Sequence, residues 1–125
     1  VQDGMDPASV ETFWGIGEYL EKYGPRMDRV GGSYGAYLFG VDTPHPVVFA
    51  ERSLEPAAAK LPYHRYRLTG QELPPAWRIE TGRVVPAVGG RGGGRQVLFR
   101  DAGKGLLSVE ELLETGLLEE VRERA

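Results

Sequence analysis

The pattern of apolar and polar positions predicts a chain of short elements. Val10, Phe13, Trp14, Gly17 and Leu20 recur at helical spacing after Asp6-Pro7. An Asp before a Pro is a helix-start signal, because the carboxylate caps free N–H groups and Pro suits the first helical position. Tyr23-Gly24-Pro25 then stops the run, so a helix is predicted over residues 7–22. Short strands are predicted at 26–30 and 36–39, and a strand or a single helical turn at 47–51. Residues 63–68, Tyr-His-Arg-Tyr-Arg-Leu, alternate as a half-exposed strand does. Two further strands, 77–79 and 83–85, are predicted around Thr81-Gly82, and another at 96–100 after the glycine run 89–94. Ser108-Val109-Glu110-Glu111 is a capping box ahead of Leu112 and Leu113, so a second helix begins there and ends at Gly116. Residues 117–121 form a last strand or short helix. Many short strands with a helix near each end predict an α+β class, with antiparallel strands in a central sheet or two small sheets.

The chain has 125 residues, one domain's worth, divided here into an N-terminal helical segment, 1–24, and a domain over 25–125 within one compact unit. There is no cysteine, which excludes disulfides, thiol chemistry and cysteine-based zinc sites. The longest uncharged stretch, residues 30–41, is rich in glycine, so no membrane span is expected. The first residue is Val1 and no secretory leader pattern is present, which suggests a piece of a longer or processed chain.

Net charge is −3, but it is unevenly spread. Residues 1–51 carry three basic and eight acidic groups, 52–104 carry ten and four, and 105–125 carry two and six; twelve of the fifteen basic residues are Arg. A basic middle between acidic ends suggests a local anionic ligand rather than general nucleic-acid affinity, unless the ends fold back and pair with it.

The run Gly89-Gly90-Arg91-Gly92-Gly93-Gly94-Arg95-Gln96 is the most informative stretch. Glycines leave backbone N–H groups open to a phosphate, and two arginines bracket the run. It is neither a Walker A loop, lacking Lys-Ser/Thr, nor a dinucleotide fingerprint, since a strand follows it; a flexible linker is the alternative. Arg52, near a predicted strand end, is by itself as readily a surface ion pair. His45 and His64 are too isolated to form a metal site, and none is expected. Residue by residue, the chain reads as an Arg-rich, Gly-looped binder of a phosphorylated small molecule.

Taken in order, several segments resemble the tuberculosis necrotizing toxin family, a group of NAD(P)+ glycohydrolases. They are Asp28-Arg29-Val30-Gly31, Gly35-Ala36-Tyr37-Leu38, Asp42-Thr43-Pro44, Arg52-Ser53-Leu54-Glu55-Pro56, Tyr63-His64-Arg65-Tyr66, Gly92-Gly93-Gly94-Arg95-Gln96 and Leu112–Leu118, a resemblance over about residues 28–121. It implies that Arg52 and Arg29 contact the NAD pyrophosphate and that Gln96 acts with Arg52 in catalysis. Val30, Tyr37, His64, Gly93 and Gly94 become expected substrate contacts. NAD(P)+ is then substrate, with no cofactor. The setting implied is a secreted effector acting in a target cell's cytoplasm, with a cognate immunity protein as partner. An acidic inhibitor would suit the basic middle, with Arg91 and Arg95 as its expected contacts. Four family aromatics are aliphatic here, at Val30, Ala87, Val88 and Val97. A ring at Val30 would stack on nicotinamide for about 0.5–1.5 kcal/mol; Tyr34, Tyr37 or Phe39 are candidates to replace it. The loss motivates a second expectation, a catalytically weak nucleotide-binding or interaction module on the same fold. ADP-ribosyl transfer or RNA cleavage is a third, disfavoured by the lack of Glu-x-Glu and of paired histidines.

Overall fold

The structure, a computed structural model, describes residues 3–42 and 49–122. Thr43, Pro44, His45 and the first two residues of the element predicted at 47–51 lie outside them. Seven strands form one antiparallel sheet: β1 (Glu11–Phe13), β2 (Arg26–Val30), β3 (Leu38–Gly40), β4 (Tyr63–Leu68), β5 (Arg78–Arg83), β6 (Arg95–Arg100) and β7 (Leu118–Val121). Their spatial order is β1-β5-β6-β3-β2-β4-β7. Two helices, α1 (Ile16–Tyr23) and α2 (Val109–Glu114), complete the α+β fold. A single sheet therefore replaces the two-sheet option.

Strand alternation sorts the side chains onto two faces. Met27, Leu38, Tyr66, Ile79, Val97 and Phe99 point to one face and pack with Ile16 and Tyr19 of α1 and with Val109 and Leu112 of α2. This face is the main core. Val97, one of the aliphatic replacements, is fully buried in it. The opposite face carries Asp28, Phe39, Gln96, Glu80 and Arg65, and holds the candidate site.

The predicted helix at 7–22 is a misreading of its first half. Asp6 does cap a start, with its carboxylate accepting from Ala8 N, but the turn Pro7–Ser9 is a 3₁₀ helix. Glu11–Phe13 then runs as β1 against Thr81, Glu80 and Ile79 of β5, and the α-helix begins after Gly15. Pairing with a long neighbouring strand satisfies N–H and C=O groups that a helix would otherwise satisfy, while Phe13 still reaches the core. Trp14, which supported the helical period, is exposed. The first 24 residues thus add an edge strand and a helix to the common sheet.

A second correction concerns Thr81-Gly82. Instead of separating two strands they lie inside β5, which pairs along its whole length with β6. A Cβ on Gly82 would sit 3.1–3.2 Å from Ser9 Oγ, Val10 Cγ2 and Met5 Sδ, so these side chains would have to give by a few tenths of an ångström where the N-terminal segment crosses the sheet. The close-approach role of a strand glycine wins over its turn role. Residues 63–68 and the Ser108 capping box fold as expected, the box with both reciprocal hydrogen bonds. The third strand is Leu38–Gly40, starting two residues and ending one residue later than predicted, and the 47–51 element appears as a 3₁₀ turn, Phe49–Arg52.

Candidate functional site on the sheet face opposite the helices

Cross-strand register builds the site. Gln96 of β6 lies opposite Phe39 of β3, Phe39 opposite Asp28 of β2, and Asp28 opposite Arg65 of β4. Directly opposed residues share a face, so these four side chains form one transverse row. Arg52, from the 3₁₀ turn, comes down on the middle of it. Its guanidinium meets the Asp28 carboxylate in a two-pronged pair, at 2.7 and 2.9 Å, and lies 4.9 Å above the Phe39 ring. Tyr63 donates its hydroxyl to Asp28 Oδ2 at 2.8 Å. Asp28 is fully buried and Arg52 is 3% exposed. Burial, then the bond to Asp28, pushes the Tyr63 hydroxyl up to about 12, so it remains a proton donor at neutral pH.

Gln96 and Arg52 therefore occupy the same face, with Phe39 between them. At about 4.8 Å per strand the Gln96 and Asp28 backbones are about 10 Å apart. Gln96 is 5% exposed, and its amide donates to the carbonyl of Asp3 at 2.8 Å. Asp3 is also held through its carboxylate by Arg100, which in turn donates to Glu80 at 2.7 Å. The N-terminal segment is a strap across the glutamine end of the row.

The glycine run serves this geometry by letting backbone approach backbone. Gly92 N donates to Ala50 O, Gly94 N to Glu51 O and Gly93 N to Val84 O, so the loop grips the turn that carries Arg52. A Cβ on Gly90 would stand 2.8 Å from Ala50 O, and one on Gly92 2.5 Å from Val84 O. The N–H groups expected to face a phosphate are thus engaged with backbone carbonyls. Gly92→Ala, which also forces a side chain onto φ +72°, is expected to cost about 1–3 kcal/mol and to shift the Arg52 turn. Gly93→Ala, whose Cβ meets no atom within 4 Å, bears backbone strain alone and loses less. Urea unfolding midpoints of the two variants check the order.

The remaining expected contacts sit elsewhere. Arg29 follows Asp28 and so starts from the other face; it donates to the carbonyls of Gly32 at 2.7 Å and Tyr37 at 3.0 Å. A Cβ on Gly35 would overlap its guanidinium. His64, opposite Arg29 in register, sits 3.2 Å from Glu120. Val30 lies opposite Tyr63, on the Asp28 face. Tyr34 and Tyr37 are exposed, Phe39 is buried beneath Arg52, and the ring beside Val30 is that of Tyr63. Arg95 points away from Gln96. It is 3% exposed, pairs with Asp42, donates to Tyr19 and Thr81 at 2.8 Å, and stacks 3.7 Å over Tyr23. It is not a surface contact for an acidic partner, whereas Arg91, 3.5 Å from Glu51, remains exposed.

Sequence reasoning missed Asp28, Tyr63 and Asp3. A carboxylate at an inward position of a strand was the available signal for Asp28, since an isolated buried charge is too costly to stand without a partner. Among the described residues no group of three His, Asp or Glu is placed to hold a metal ion, and no helix is long and apolar enough to cross a membrane.

The profile of the family described as tuberculosis necrotizing toxin matches residues 22–121. The chain is 34% identical over 116 residues to the outer membrane channel protein CpnT of Mycobacterium tuberculosis (strain ATCC 25618 / H37Rv), and equally to that of Mycobacterium bovis (strain BCG / Pasteur 1173P2). These alignments take in 93% of this chain but only 14% of each relative's length. The atomic structure of tuberculosis necrotizing toxin complexed with its immunity factor matches with a TM-score of 0.87 at 33% identity, over 94% of this chain and 58% of that one. With the profile spanning most of the sheet and the relatives sharing a third of its residues, this chain belongs to the tuberculosis necrotizing toxin family.

Proposed function

We propose that this toxin-family domain is an NAD(P)+ glycohydrolase. The observation that carries the reading is the shared row of Gln96, Phe39 and Asp28 with Arg52 laid over it. Had the amide and the guanidinium faced opposite sides of the sheet, no single dinucleotide could meet both.

The reaction asks little of a protein nucleophile. The bond between ribose C1′ and the nicotinamide nitrogen breaks, its electron pair leaves with the now neutral nicotinamide, and the ribose becomes oxocarbenium-like. A water oxygen bonds to C1′, a proton passes to solvent, and the products are nicotinamide and ADP-ribose. Water is the only co-reactant, so no cofactor is needed. Orientation and electrostatics then supply most of the rate. A neutral amide such as that of Gln96 can hold a ribose hydroxyl or the attacking water without acting as a counter-ion. Arg52 contributes fixed positive charge for the diphosphate, held in place by Asp28 and the Phe39 ring. Gln96 gives one N–H to Asp3 O, which leaves its second N–H and its Oε1 to meet substrate. Tyr37, which is exposed, belongs to the same proposal as an outlying contact, whereas Arg29 and His64 leave their strands on the opposite face and take no direct part in this reading.

Secretion, action in a target cell and restraint by an immunity protein extend the reading. The solved relative is bound to its immunity factor, and Arg91 is an exposed cation suited to an acidic partner. Incubation of the purified chain with NAD+ is expected to release nicotinamide and ADP-ribose in equal amounts, read by chromatography. NAD+ surviving prolonged incubation at high protein concentration would leave the weak-binding alternative as the better account.

A further inference from the structure

We propose that Arg100 is a positioning residue for Gln96, acting through Asp3: its guanidinium clamps the Asp3 carboxylate, and the Asp3 carbonyl then fixes which way the Gln96 amide faces. This rests on the role of Gln96 proposed above and extends it to two residues that stand behind it.

An amide side chain needs such a fixture. Its Oε1 and Nε2 exchange places by a half-turn of the last torsion, and packing alone does not choose between them, because oxygen and NH2 are nearly the same size. Left free, Gln96 would present donor or acceptor to a ribose hydroxyl at random. The Asp3 carbonyl can only accept, so a bond from Nε2 at 2.8 Å selects one orientation. The second N–H and Oε1 are then held in a set arrangement for the ligand.

The carbonyl is itself held. From Gly4 onward the N-terminal segment is tied by backbone: Gly4 O accepts from Val85 N at 2.9 Å, Met5 bridges to Val84, and Asp6 N donates to Arg83 O at 2.8 Å. Asp3 precedes these bonds and is gripped by side chains instead. Its φ of +52° lies in the left-handed region, which Asp tolerates better than most residues and which a pinned carboxylate helps to keep. Arg100 and Gln96 are four residues apart on one face of β6, about 13 Å along the strand, and Asp3 spans the gap between their side chains. Arg100 comes to Asp3 already anchored. Its Nε donates to Glu80 Oε1 at 2.7 Å and its Nη1 to the Lys104 carbonyl at 3.1 Å, while Nη2 donates to Asp3 Oδ2. Glu80 is buried and is also met by Arg78. An arginine tied at each nitrogen is a rigid post, since its planar fork loses little freedom per bond formed.

Asp3→Asn tests this chain of contacts with little disturbance. The backbone carbonyl that Gln96 meets stays, asparagine tolerates the left-handed region as aspartate does, and the charge that Arg100 holds is gone. For NAD+, kcat is expected to fall about tenfold with KM within about twofold, as when a group is misplaced for the transition state. Arg100→Ala should fall as far, and Arg100→Lys should recover part of the loss. The Asp3→Asn/Arg100→Ala pair should be no slower than the worse single variant, because both cut one chain. Asp6→Ala removes the cap of the adjoining 3₁₀ turn and is the structural control: its melting temperature should drop while kcat stays within about twofold of wild type. Nuclear magnetic resonance reads the amide without turnover. The Gln96 Nε2 protons should exchange with solvent about tenfold faster in Asp3→Asn than in the wild type. In a chain that turns over NAD+, an unaltered kcat in Asp3→Asn overturns the proposal and leaves the glycohydrolase reading standing. So does an equal fall in kcat for Asp6→Ala, which would mark general loosening of the N-terminal segment. If the wild type leaves NAD+ intact, faster exchange keeps the clamp while the glycohydrolase reading falls, and unmoved exchange removes both.

Discussion

Arg52→Ala is expected to lower the melting temperature by more than about 10 °C and to abolish NAD+ turnover. Asp28 is fully buried and its carboxylate is held by Arg52 and by the Tyr63 hydroxyl. Truncating the arginine leaves a buried negative charge with one neutral donor, and breaking such a pair typically costs about 3–5 kcal/mol. The Phe39 ring also loses the cation that covers it. For a chain of this size each kcal/mol moves the midpoint by several degrees. Removing both charges is less harmful than removing one, because no orphan remains. The Asp28→Ala/Arg52→Ala double variant should therefore melt above the temperature that adding the two single losses predicts, with a coupling of about 1–3 kcal/mol. Additive losses in thermal unfolding would mean that the two side chains do not depend on each other and that the row is not the unit described. Arg52→Lys separates charge from shape: a lysine retains the cation but not the two-pronged pairing, so it should recover part of the stability and little of the activity.

Gln96→Ala is expected to reduce kcat by about a hundredfold or more, the scale associated with loss of one preorganised donor at a reacting centre. Its effect on stability should be small by comparison. The side chain makes one hydrogen bond, to the carbonyl of Asp3, worth about 1 kcal/mol. That contrast is the discriminating readout: a large fall in kcat with a melting temperature within a few degrees of wild type marks a group acting on substrate, whereas parallel losses mark a strut for the N-terminal strap. Gln96→Glu sharpens the comparison. The carboxylate is nearly isosteric but cannot donate to Asp3 O, so the strap should loosen even as the shape of the site is kept. Wild-type turnover by Gln96→Ala would remove this residue from the mechanism.

Local chemistry was enough for some elements. Tyr63–Leu68 alternates weakly in sequence, and in the fold Tyr66 and Leu68 are buried in the main core while Arg65 and Arg67 face the other side; the Ser108 box forms from neighbours in sequence. Glu11–Phe13 and Thr81-Gly82 differ from the sequence reading because their conformations are set by partners far along the chain: β1 is extended because β5 is there to pair with it, and Thr81-Gly82 stays extended because it pairs with Val97 and Gln96 of β6. The glycine run was recognised as important for a different reason from the one the structure supplies. Its small residues admit the backbone of the Arg52 turn, and their N–H groups bond to that turn and to Val84. Arg91 and Arg95 look alike in sequence, yet one is exposed and the other is sealed between Asp42, Tyr19 and Tyr23, because strand alternation sends Arg95 to the helix-covered face.

From its residues alone the chain determined an α+β fold and membership of a toxin family, and it offered arginines and one amide beside glycines as site candidates, since ordered motifs and short-range capping survive without knowledge of contacts. Only the tertiary structure decided which arginines are surface and which are structural, that Asp28 is the anchor of Arg52, and that Gln96 lies beneath the Asp3 strap. The reason is that register across a sheet joins residues tens of positions apart onto one face, and a shift of one residue in any strand would turn its whole set of side chains to the other.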